Sequence, residues 1–231
     1  MTFGSIEAIE RDGGVRYADC PFCDPIPELV LFESVYSRVL FANSSLLEGH
    51  LIVASRDHAG AATNLPGSQV ADLLDLQNRA KSVLGHASGE CVVHFEHGEP
   101  TTAEVKAQSS HCLHPHMNLV PSDALCGQSS FVVEVLRTFG LVPCSQAFVS
   151  LSECYSFAAH EPADYYILGS GTTYTLLAGP SKTERAFRRA FAKVLRLDEE
   201  VAARWEARLS PEAPQGSLAD QLRCSFDRVG A

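Results

Sequence analysis

The sequence predicts an α+β fold, in which an antiparallel sheet carries one long helix on one face and is followed by a C-terminal α/β extension. Three runs rich in apolar and β-branched residues read as strands before the helix, at residues 29–32, 35–42 and 50–54. Residues 66–84 have apolar side chains at helical spacing, and two more strand-like segments follow, at 91–95 and in the histidine-containing stretch that ends at Pro121. A meander of strands interrupted by one helix packs that helix on one face of the sheet.

Composition excludes several classes of function. The 231 residues contain 18 Lys and Arg against 28 Asp and Glu, a net charge of −10, which disfavours binding to a nucleic acid polymer or a membrane surface. No apolar run approaches the roughly 20 residues needed to span a bilayer. The first 19 residues lack the pattern of a signal peptide, so the sequence predicts a cytoplasmic protein despite its eight cysteines.

The central feature is the stretch 111–121, read as a strand with alternating faces. Its two sets of side chains are the apolar Leu113, Met117 and Leu119, and the polar Cys112, His114, His116 and Asn118. A buried strand seldom presents such a polar row, because each unpaired polar group costs roughly 1–3 kcal/mol. Pro115 cannot donate to a ladder, which places an edge or bulge there. We therefore interpret the polar face as a functional site rather than as a half-exposed strand.

A Cys-x-x-Cys pair at Cys20 and Cys23 precedes the strands. Two thiolates on one side of a tight turn supply half of a tetrahedral zinc site. A redox pair would open a helix, and the following Asp24-Pro25-Ile26-Pro27 argues against one. Three other cysteines in apolar surroundings are predicted to be small core residues: Cys91, Cys144 and Cys154.

The predicted elements give a domain plan. Residues 1–19 form an N-terminal arm, 20–125 the catalytic core, 126–209 an extension packed on that core, and 210–231 a tail. Within the core, Gly85 is expected to end the long helix, and the strand at 91–95 is expected to run into a turn at 96–100.

The extension at 126–209 has a less regular pattern of predicted helices and strands than the core. A helix is predicted at 129–139, residues 144–160 stay ambiguous between strand and loop, and a hairpin is predicted at 164–178. Ser181 and Glu184 form a capping box that opens a basic helix over 181–196, which is either a solvated outer face or an approach to phosphate. A further helix is predicted to begin near Asp198.

With these pieces placed, the chain resembles the histidine-triad (HIT) superfamily. The motif of that superfamily, His-x-His-x-His followed by apolar residues, stands here as His114-Pro115-His116-Met117-Asn118-Leu119-Val120-Pro121. Three other segments occur in the expected order: Cys20–Cys23, Gly49-His50 leading to His58, and Phe95-Glu96-His97-Gly98. The resemblance covers roughly residues 20–121 and implies a HIT-like sheet.

The third position of the motif departs from the superfamily, since Asn118 replaces histidine. His-Pro-His followed by an amide resembles the galactose-1-phosphate uridylyltransferase and diadenosine tetraphosphate phosphorylase branch. The resemblance implies that His116 is the nucleophile, which attacks the α-phosphate and forms a nucleotidyl-histidine. Asn118 can bind phosphate oxygens but cannot relay a proton, which favours transfer to a phosphorylated acceptor over hydrolysis.

The resemblance also implies a structural zinc ion. The ligands carried over from zinc-bearing relatives are Cys20, Cys23, His58 and His114. A Cys₂His₂ set is four-coordinate and closed, as structural zinc sites are. His50 and His111 are the alternative ligands; His50 lies within a strand and His111 has the wrong parity relative to His114.

Candidate substrate contacts come from apolar side chains of the first strands and from the resemblance. Phe32 and Phe41 either line a base pocket or belong to the plain strand core. Three polar residues before the motif are candidate phosphate contacts: Gln108, Ser109 and Ser110. His97 stands where the uridylyltransferases have an Asn and is a further candidate.

The motif and its departure at Asn118 are compatible with three functions. The first is a nucleotidyltransferase or phosphorylase acting on a nucleoside di- or polyphosphate or a nucleotide-sugar. The alternatives are a HIT-type nucleotide hydrolase and a catalytically weak nucleotide-binding module, and the retained His116 argues against the latter. Superfamily members commonly pair through the long helix, so a homodimer using residues 66–95 is expected, unless the C-terminal half covers that surface.

Overall fold

The structure, a computed structural model, describes residues 8–11, 14–17, 20–43, 45–100, 114–126, 142–160, 164–178, 193 and 216–230. Its strands are β1 (Ala8–Arg11), β2 (Gly14–Tyr17), β3 (Val30–Glu33), β4 (Ser37–Phe41), β5 (Leu51–Ser55), β6 (Val92–Gly98), β7 (His116–Pro121), β8 (Val142–Phe148), β9 (Tyr165–Ser170) and β10 (Thr173–Ala178). Its helices are α1 (Gly67–Ser88), α2 (Leu151–Ala158) and α3 (Ser217–Gly230). The predicted α+β class is confirmed.

Eight of the strands form one antiparallel sheet in the order β3-β4-β5-β7-β6-β9-β10-β8. The histidine strand β7 lies between β5 and β6, and β1 and β2 form a separate hairpin. Because β9 pairs with β6, the C-terminal strands continue the sheet of the predicted core instead of forming a layer of their own. The predicted hairpin at 164–178 is therefore confirmed, and the ambiguous segment 144–160 contains most of β8 and all of α2.

Helix α1 covers one face of the sheet. Its fully buried side chains include Leu73, Ala80 and Leu84, which belong to the same core as Met117 and Leu119 of β7. The expectation that Gly85 ends this helix is wrong, since the helix continues to Ser88. The terminating residue is Gly89, whose φ of 69° is the left-handed conformation that caps helices, and whose N–H donates to the Gly85 carbonyl.

The predicted tail at 210–231 contains an ordered helix. In α3, Leu222 and Phe226 are 0% and 1% exposed, and the Phe226 ring lies 6.1 Å from that of Phe32 in β3. Leu218, Leu222 and Phe226 repeat every four residues, so they share one helix face that packs beside α1. The Pro/Gly/Ser-rich residues 210–217, which predicted the tail, come directly before this helix.

A buried carboxylate joins the C-terminal half to the core. Glu96 of β6 accepts hydrogen bonds from the hydroxyls of Tyr155 in α2, at 2.5 Å, and Tyr165 in β9, at 3.0 Å. Gln77 of α1 donates to the Tyr155 hydroxyl at 3.1 Å. Burial raises the pKa of Glu96 to about 7, and the hydrogen bonds from Tyr155 and Tyr165 oppose that rise. Two strands and two helices that are distant in sequence thus meet around one buried carboxylate.

The cysteines depart partly from expectation. Cys154 is fully buried and belongs to the core, as predicted, but Cys91 forms a disulfide with Cys126 and is not a small core residue. This bond links the start of β6 to the turn after β7. The side chain of Cys144 and the helices predicted at 129–139, 181–196 and from 198 lie outside the described residues, apart from residue 193.

Replacing Phe226 by Ala tests whether α3 is part of the core. We expect a loss of about 3–5 kcal/mol in the free energy of unfolding, because the change removes a fully buried ring. The matched control is Asp227→Ala on the exposed face of the same helix, which should stay within about 0.5 kcal/mol of the parent. Chemical denaturation measures both, and equal midpoints for the two variants would show that α3 adds nothing to the core.

Candidate active site and metal cluster

The two faces of β7 are divided as the sequence predicted. Met117 and Leu119 are fully buried on the side of α1, while His116 and Asn118 lie on the opposite face and are half-buried. Asn118 pairs with Ile52 of β5 and with Phe95 of β6. The polar row therefore stands on the sheet face that α1 does not cover, at the centre of the sheet.

Four side chains form a cluster that can hold a metal ion: Cys20, Cys23, His58 and His114. Sulfur-to-nitrogen distances to the histidine Nδ1 atoms are 3.5 Å for Cys20–His114, 3.4 Å for Cys23–His58 and 3.7 Å for Cys23–His114. The two Nδ1 atoms are 3.4 Å apart. In a tetrahedral zinc site, neighbouring S and N ligands lie about 3.5 Å apart and two N ligands about 3.4 Å apart, given the usual bond lengths. The donor set and its spacing thus fit zinc.

The outer nitrogen of His114 has a partner that fixes the ring. Its Nε2–H donates to the Ser55 carbonyl at 2.7 Å, which leaves Nδ1 unprotonated and directed at the cysteines. Burial lowers the pKa of His114, which favours the same neutral ring. A metal-binding histidine is commonly oriented by a backbone carbonyl in this way. Of the alternative ligands, His50 lies outside the cluster, and His111 lies outside the described residues.

His116 is held with one nitrogen directed into the site. Its Nδ1–H donates to the His114 carbonyl at 2.7 Å, so the neutral ring carries its lone pair on Nε2. The ring of Phe22, in the loop between the two cysteines, lies 4.6 Å from the His116 ring at an angle of 30°. Burial lowers the pKa of His116, and the hydrogen bond to the His114 carbonyl opposes this. Phe22 was not predicted, because its contact with His116 depends on the folding of the cysteine loop.

The amide of Asn118 is oriented by His50. Leu46 N–H donates to His50 Nδ1 at 3.1 Å, so His50 carries its proton on Nε2. That Nε2–H donates to Asn118 Oδ1 at 3.1 Å. The Asn118 oxygen is thereby occupied, and its NH₂ group is left as a double donor on the face of His116. His50 is buried, as expected of a core or packing histidine within a strand, and it also contacts the site through Asn118.

His97 lies on the same face as His116 and Asn118. In the β6–β7 ladder Glu96 pairs with Met117, so His97 comes one step later, beside His116. Its ring stacks on that of Tyr166 in β9, with centroids 4.4 Å apart and planes 6° apart. The expected turn at 96–100 begins later than predicted, since β6 continues through Gly98. The extra strand length is what brings His97 to the site.

Two predicted substrate contacts lie elsewhere. Phe32 and Phe41 belong to the core on the α1 face, where Arg79 and Arg223 lie over their rings at 5.6 and 5.1 Å. The base-pocket interpretation is therefore wrong and the strand-core interpretation holds, because the pleat turns both rings away from His116. Gln108, Ser109, Ser110 and Cys112 lie outside the described residues.

Comparison with known proteins gives a structural likeness only. No family model matches the chain, and no curated protein matches it. Among solved structures, a HIT-like protein of Bartonella henselae is 13% identical with a TM-score of 0.34, covering 43% of this chain and 74% of its own. A HIT family member of Bacillus subtilis is 15% identical with a TM-score of 0.37, covering 45% and 72%. Diadenosine triphosphate hydrolase of Plasmodium falciparum is 18% identical with a TM-score of 0.35, covering 52% and 71%.

The helices in the described part of the chain were compared with the requirements for crossing a membrane. None of the helices there combines the length and the apolar composition that crossing a bilayer requires.

Proposed function

We propose that this chain is a nucleotidyltransferase or phosphorylase that acts on a nucleoside di- or polyphosphate or a nucleotide-sugar through a covalent nucleotidyl-histidine at His116. The observation that carries the proposal is the hydrogen bond from His116 Nδ1 to the His114 carbonyl, which leaves the lone pair on Nε2 of a side chain on the sheet face that α1 does not cover. The HIT-like motif around this residue supports the same role. A half-buried histidine held in one tautomer is arranged for nucleophilic attack rather than for packing.

The proposed first half-reaction makes one bond and breaks one. His116 Nε2 attacks the α-phosphorus, the N–P bond forms, and the bond to the leaving oxygen breaks with its electron pair going to the leaving phosphate. The ring becomes positively charged in this step, and the His114 carbonyl stabilises it through the Nδ1–H it already accepts. Imidazole needs no separate base, because its ordinary pKa near 6.5 leaves it neutral at neutral pH.

In the second half-reaction an acceptor oxygen attacks the same phosphorus and the N–P bond breaks. The electron pair returns to His116 Nε2, and any proton on the acceptor leaves to solvent. A phosphate acceptor is already ionised and needs no proton removed, whereas water does. Asn118 donates hydrogen bonds to phosphate oxygens through its NH₂ group and cannot relay a proton, which supports transfer over hydrolysis.

We infer that the Cys20, Cys23, His58 and His114 cluster holds a structural zinc ion. Zinc would supply fixed tetrahedral geometry there, and with four protein ligands it leaves no position for substrate. His114 belongs to the cluster through its side chain and to the His116 hydrogen bond through its carbonyl. The cluster therefore positions the nucleophile, and Phe22 between the cysteines packs on its ring.

Partners follow from the same site. We infer a nucleotide or nucleotide-sugar substrate, with His97 as a phosphate contact beside His116. Gln108, Ser109 and Ser110 stay proposed phosphate contacts on the resemblance alone. The C-terminal half covers part of the surface through which a homodimer is expected to form. Strand β9 pairs with the edge of β6, and Tyr155 contacts Gln77 of α1.

Replacing Cys23 by Ser tests the zinc ion. We expect about one zinc per chain in the parent and less than half of that in the variant, with a large drop in stability, because structural zinc contributes roughly 10 kcal/mol or more of binding free energy in small domains. The matched control is Cys224→Ser, which changes an exposed free thiol and should keep the metal. Mass spectrometry measures the zinc content of each protein, and a parent protein without zinc would contradict the inference.

Replacing His116 by Ala tests the nucleophile. We expect turnover to fall by about 10³-fold or more while nucleotide binding is retained, because the change removes the attacking nitrogen. The parent should also form an acid-labile labelled adduct with a nucleotide radiolabelled at the α-phosphate. His86→Ala on the exposed side of α1 is the matched control and should keep both properties. A His116→Ala protein with parental activity would exclude the mechanism.

Replacing Asn118 by His tests the preference for transfer. We expect hydrolysis to rise relative to transfer, by up to about 10²–10⁴-fold, because imidazole can relay a proton from water. The enlargement costs roughly 1–3 kcal/mol if it overpacks the strand, so the melting temperature is measured first. Asn118→Gln keeps the amide and should leave the product ratio unchanged. Product analysis with and without added phosphate gives the ratio, and an unchanged ratio for Asn118→His would end the argument for a transferase.

A further inference from the structure

A cleft of about 540 Å³ lies between α1, the start of α2 and the turn that joins β9 to β10. Its walls are largely apolar and include Leu74, Val92 and Leu151. Two polar side chains that line it are those of Lys81 in α1 and Tyr174 in β10. None of the groups assigned to nucleotidyl transfer lines this cleft.

The strand register places the cleft on the side of the sheet opposite His116. Tyr174 pairs with Gly169, and Gly169 pairs with His94. His94 pairs in turn with Leu119, which is buried on the α1 side. Directly opposite residues of neighbouring strands share a face, so the sheet separates the cleft from His116. A ligand in the cleft is therefore independent of the proposed function.

Lys81 is a half-buried amine whose hydrogen-bond partners are both uncharged. Its Nζ donates to the Gly171 carbonyl at 3.1 Å and to the Tyr174 hydroxyl, and it lies 4.8 Å from the centre of the Tyr174 ring. Within the described residues no carboxylate forms an ion pair with Lys81, and Glu90, which lines the cleft, is exposed. Desolvation penalises a charged amine without such a partner, and burial lowers the pKa of Lys81 to about 8.

Tyr174 is fixed beside this amine by its packing on His94. The two rings lie 4.6 Å apart, and a Cβ on Gly169 would overlap the His94 ring. Burial, with a further contribution from Cys154, raises the pKa of Tyr174 to about 12, so its hydroxyl stays protonated at neutral pH. Burial, together with the charge of Lys81, lowers the pKa of His94 to about 3, so His94 is neutral there.

We propose that Lys81 binds a small aldehyde with an apolar body as an imine in this cleft. A lysine amine that is desolvated and lacks a carboxylate partner is the kind that forms Schiff bases with carbonyl compounds. The apolar walls suit the body of such a ligand. The Tyr174 hydroxyl contacts Nζ, so it lies next to the carbon that the amine attacks.

The reaction balances without a further reactant. The neutral Nζ of Lys81 attacks the carbonyl carbon, the C–N bond forms, and the π electron pair moves to the oxygen, which gains a proton as Nζ loses one. The resulting hydroxyl leaves as water with a proton from Tyr174, while the nitrogen lone pair forms the C=N bond. The last proton on the nitrogen returns to Tyr174, so that amine and aldehyde give imine and water.

Reductive trapping tests this site on the full-length, zinc-loaded protein. Benzaldehyde is added with enough cyanoborohydride that imine formation limits the rate, and peptide mass spectrometry measures the benzylamine formed at each lysine. We expect Lys81 to react about tenfold or more faster than the exposed Lys193 at neutral pH. An amine with a pKa of about 8 is about one-fifth neutral at about pH 7.4, against about one part in a thousand for an ordinary lysine.

Two further readouts in the parent protein separate a binding site from a merely reactive amine. The rate at Lys81 should saturate with benzaldehyde as the cleft fills, whereas the rate at Lys193 should stay proportional to its concentration. The ratio of the two rates should also fall towards about pH 10, where ordinary lysines become neutral. A Lys81 rate that does not exceed that of Lys193, or that stays proportional to benzaldehyde, would overturn the proposal.

Replacing Tyr174 by Phe keeps the ring and removes the hydroxyl. Labelling of Lys81 should slow by about tenfold or more, because the proton donor is lost, while labelling of Lys193 should not change. Tyr36→Phe, in the exposed turn between β3 and β4, is the matched control and should react as the parent does. Circular dichroism and zinc content check the folding of both variants. A folded Tyr174→Phe protein with parental labelling of Lys81 would contradict the site as proposed.

Discussion

His114 is the residue on which the rest of the site depends. Its ring lies in the Cys₂His₂ cluster and its Nε2–H donates to the Ser55 carbonyl, so the ring is fixed from both sides. Its own carbonyl then accepts the Nδ1–H of His116. The backbone of His114 thus connects the four-residue cluster to the ring of His116, and Phe22 of the cysteine loop contacts the same ring.

Local features of the sequence predicted most of the central strand and its neighbours. The alternation around Met117 and Asn118 is a property of any pleated strand, so it could be read without knowing the partners. The two interpretations of Phe41 stayed open because a strand's pattern does not say which of its faces meets the site. The helix at Ser217–Gly230 was missed because the Pro/Gly/Ser-rich composition of residues 210–217 is typical of a tail, and that interpretation was extended to the end of the chain.

Long-range pairing explains what the sequence could not reveal. Residues 97, 99 and 164 lie close together although their spacing forms no sequence motif, because β6 pairs with β9. The same ladder brings Tyr165 to Glu96, a buried acid that a sequence reading places in a turn. The orientation of Asn118 likewise needs His50 from another strand. Candidate ligands could be listed in advance, but their grouping is set by topology.

The pairing of β9 with β6 has a practical consequence for anyone dividing this chain. A fragment that stops at the motif, near residue 126, would leave β6 as a bare sheet edge carrying Val93 and Phe95. Unpaired edges of this kind recruit strands from other molecules and lead to aggregation. Expression of the motif region alone would therefore yield insoluble material even if every residue around His116 were present.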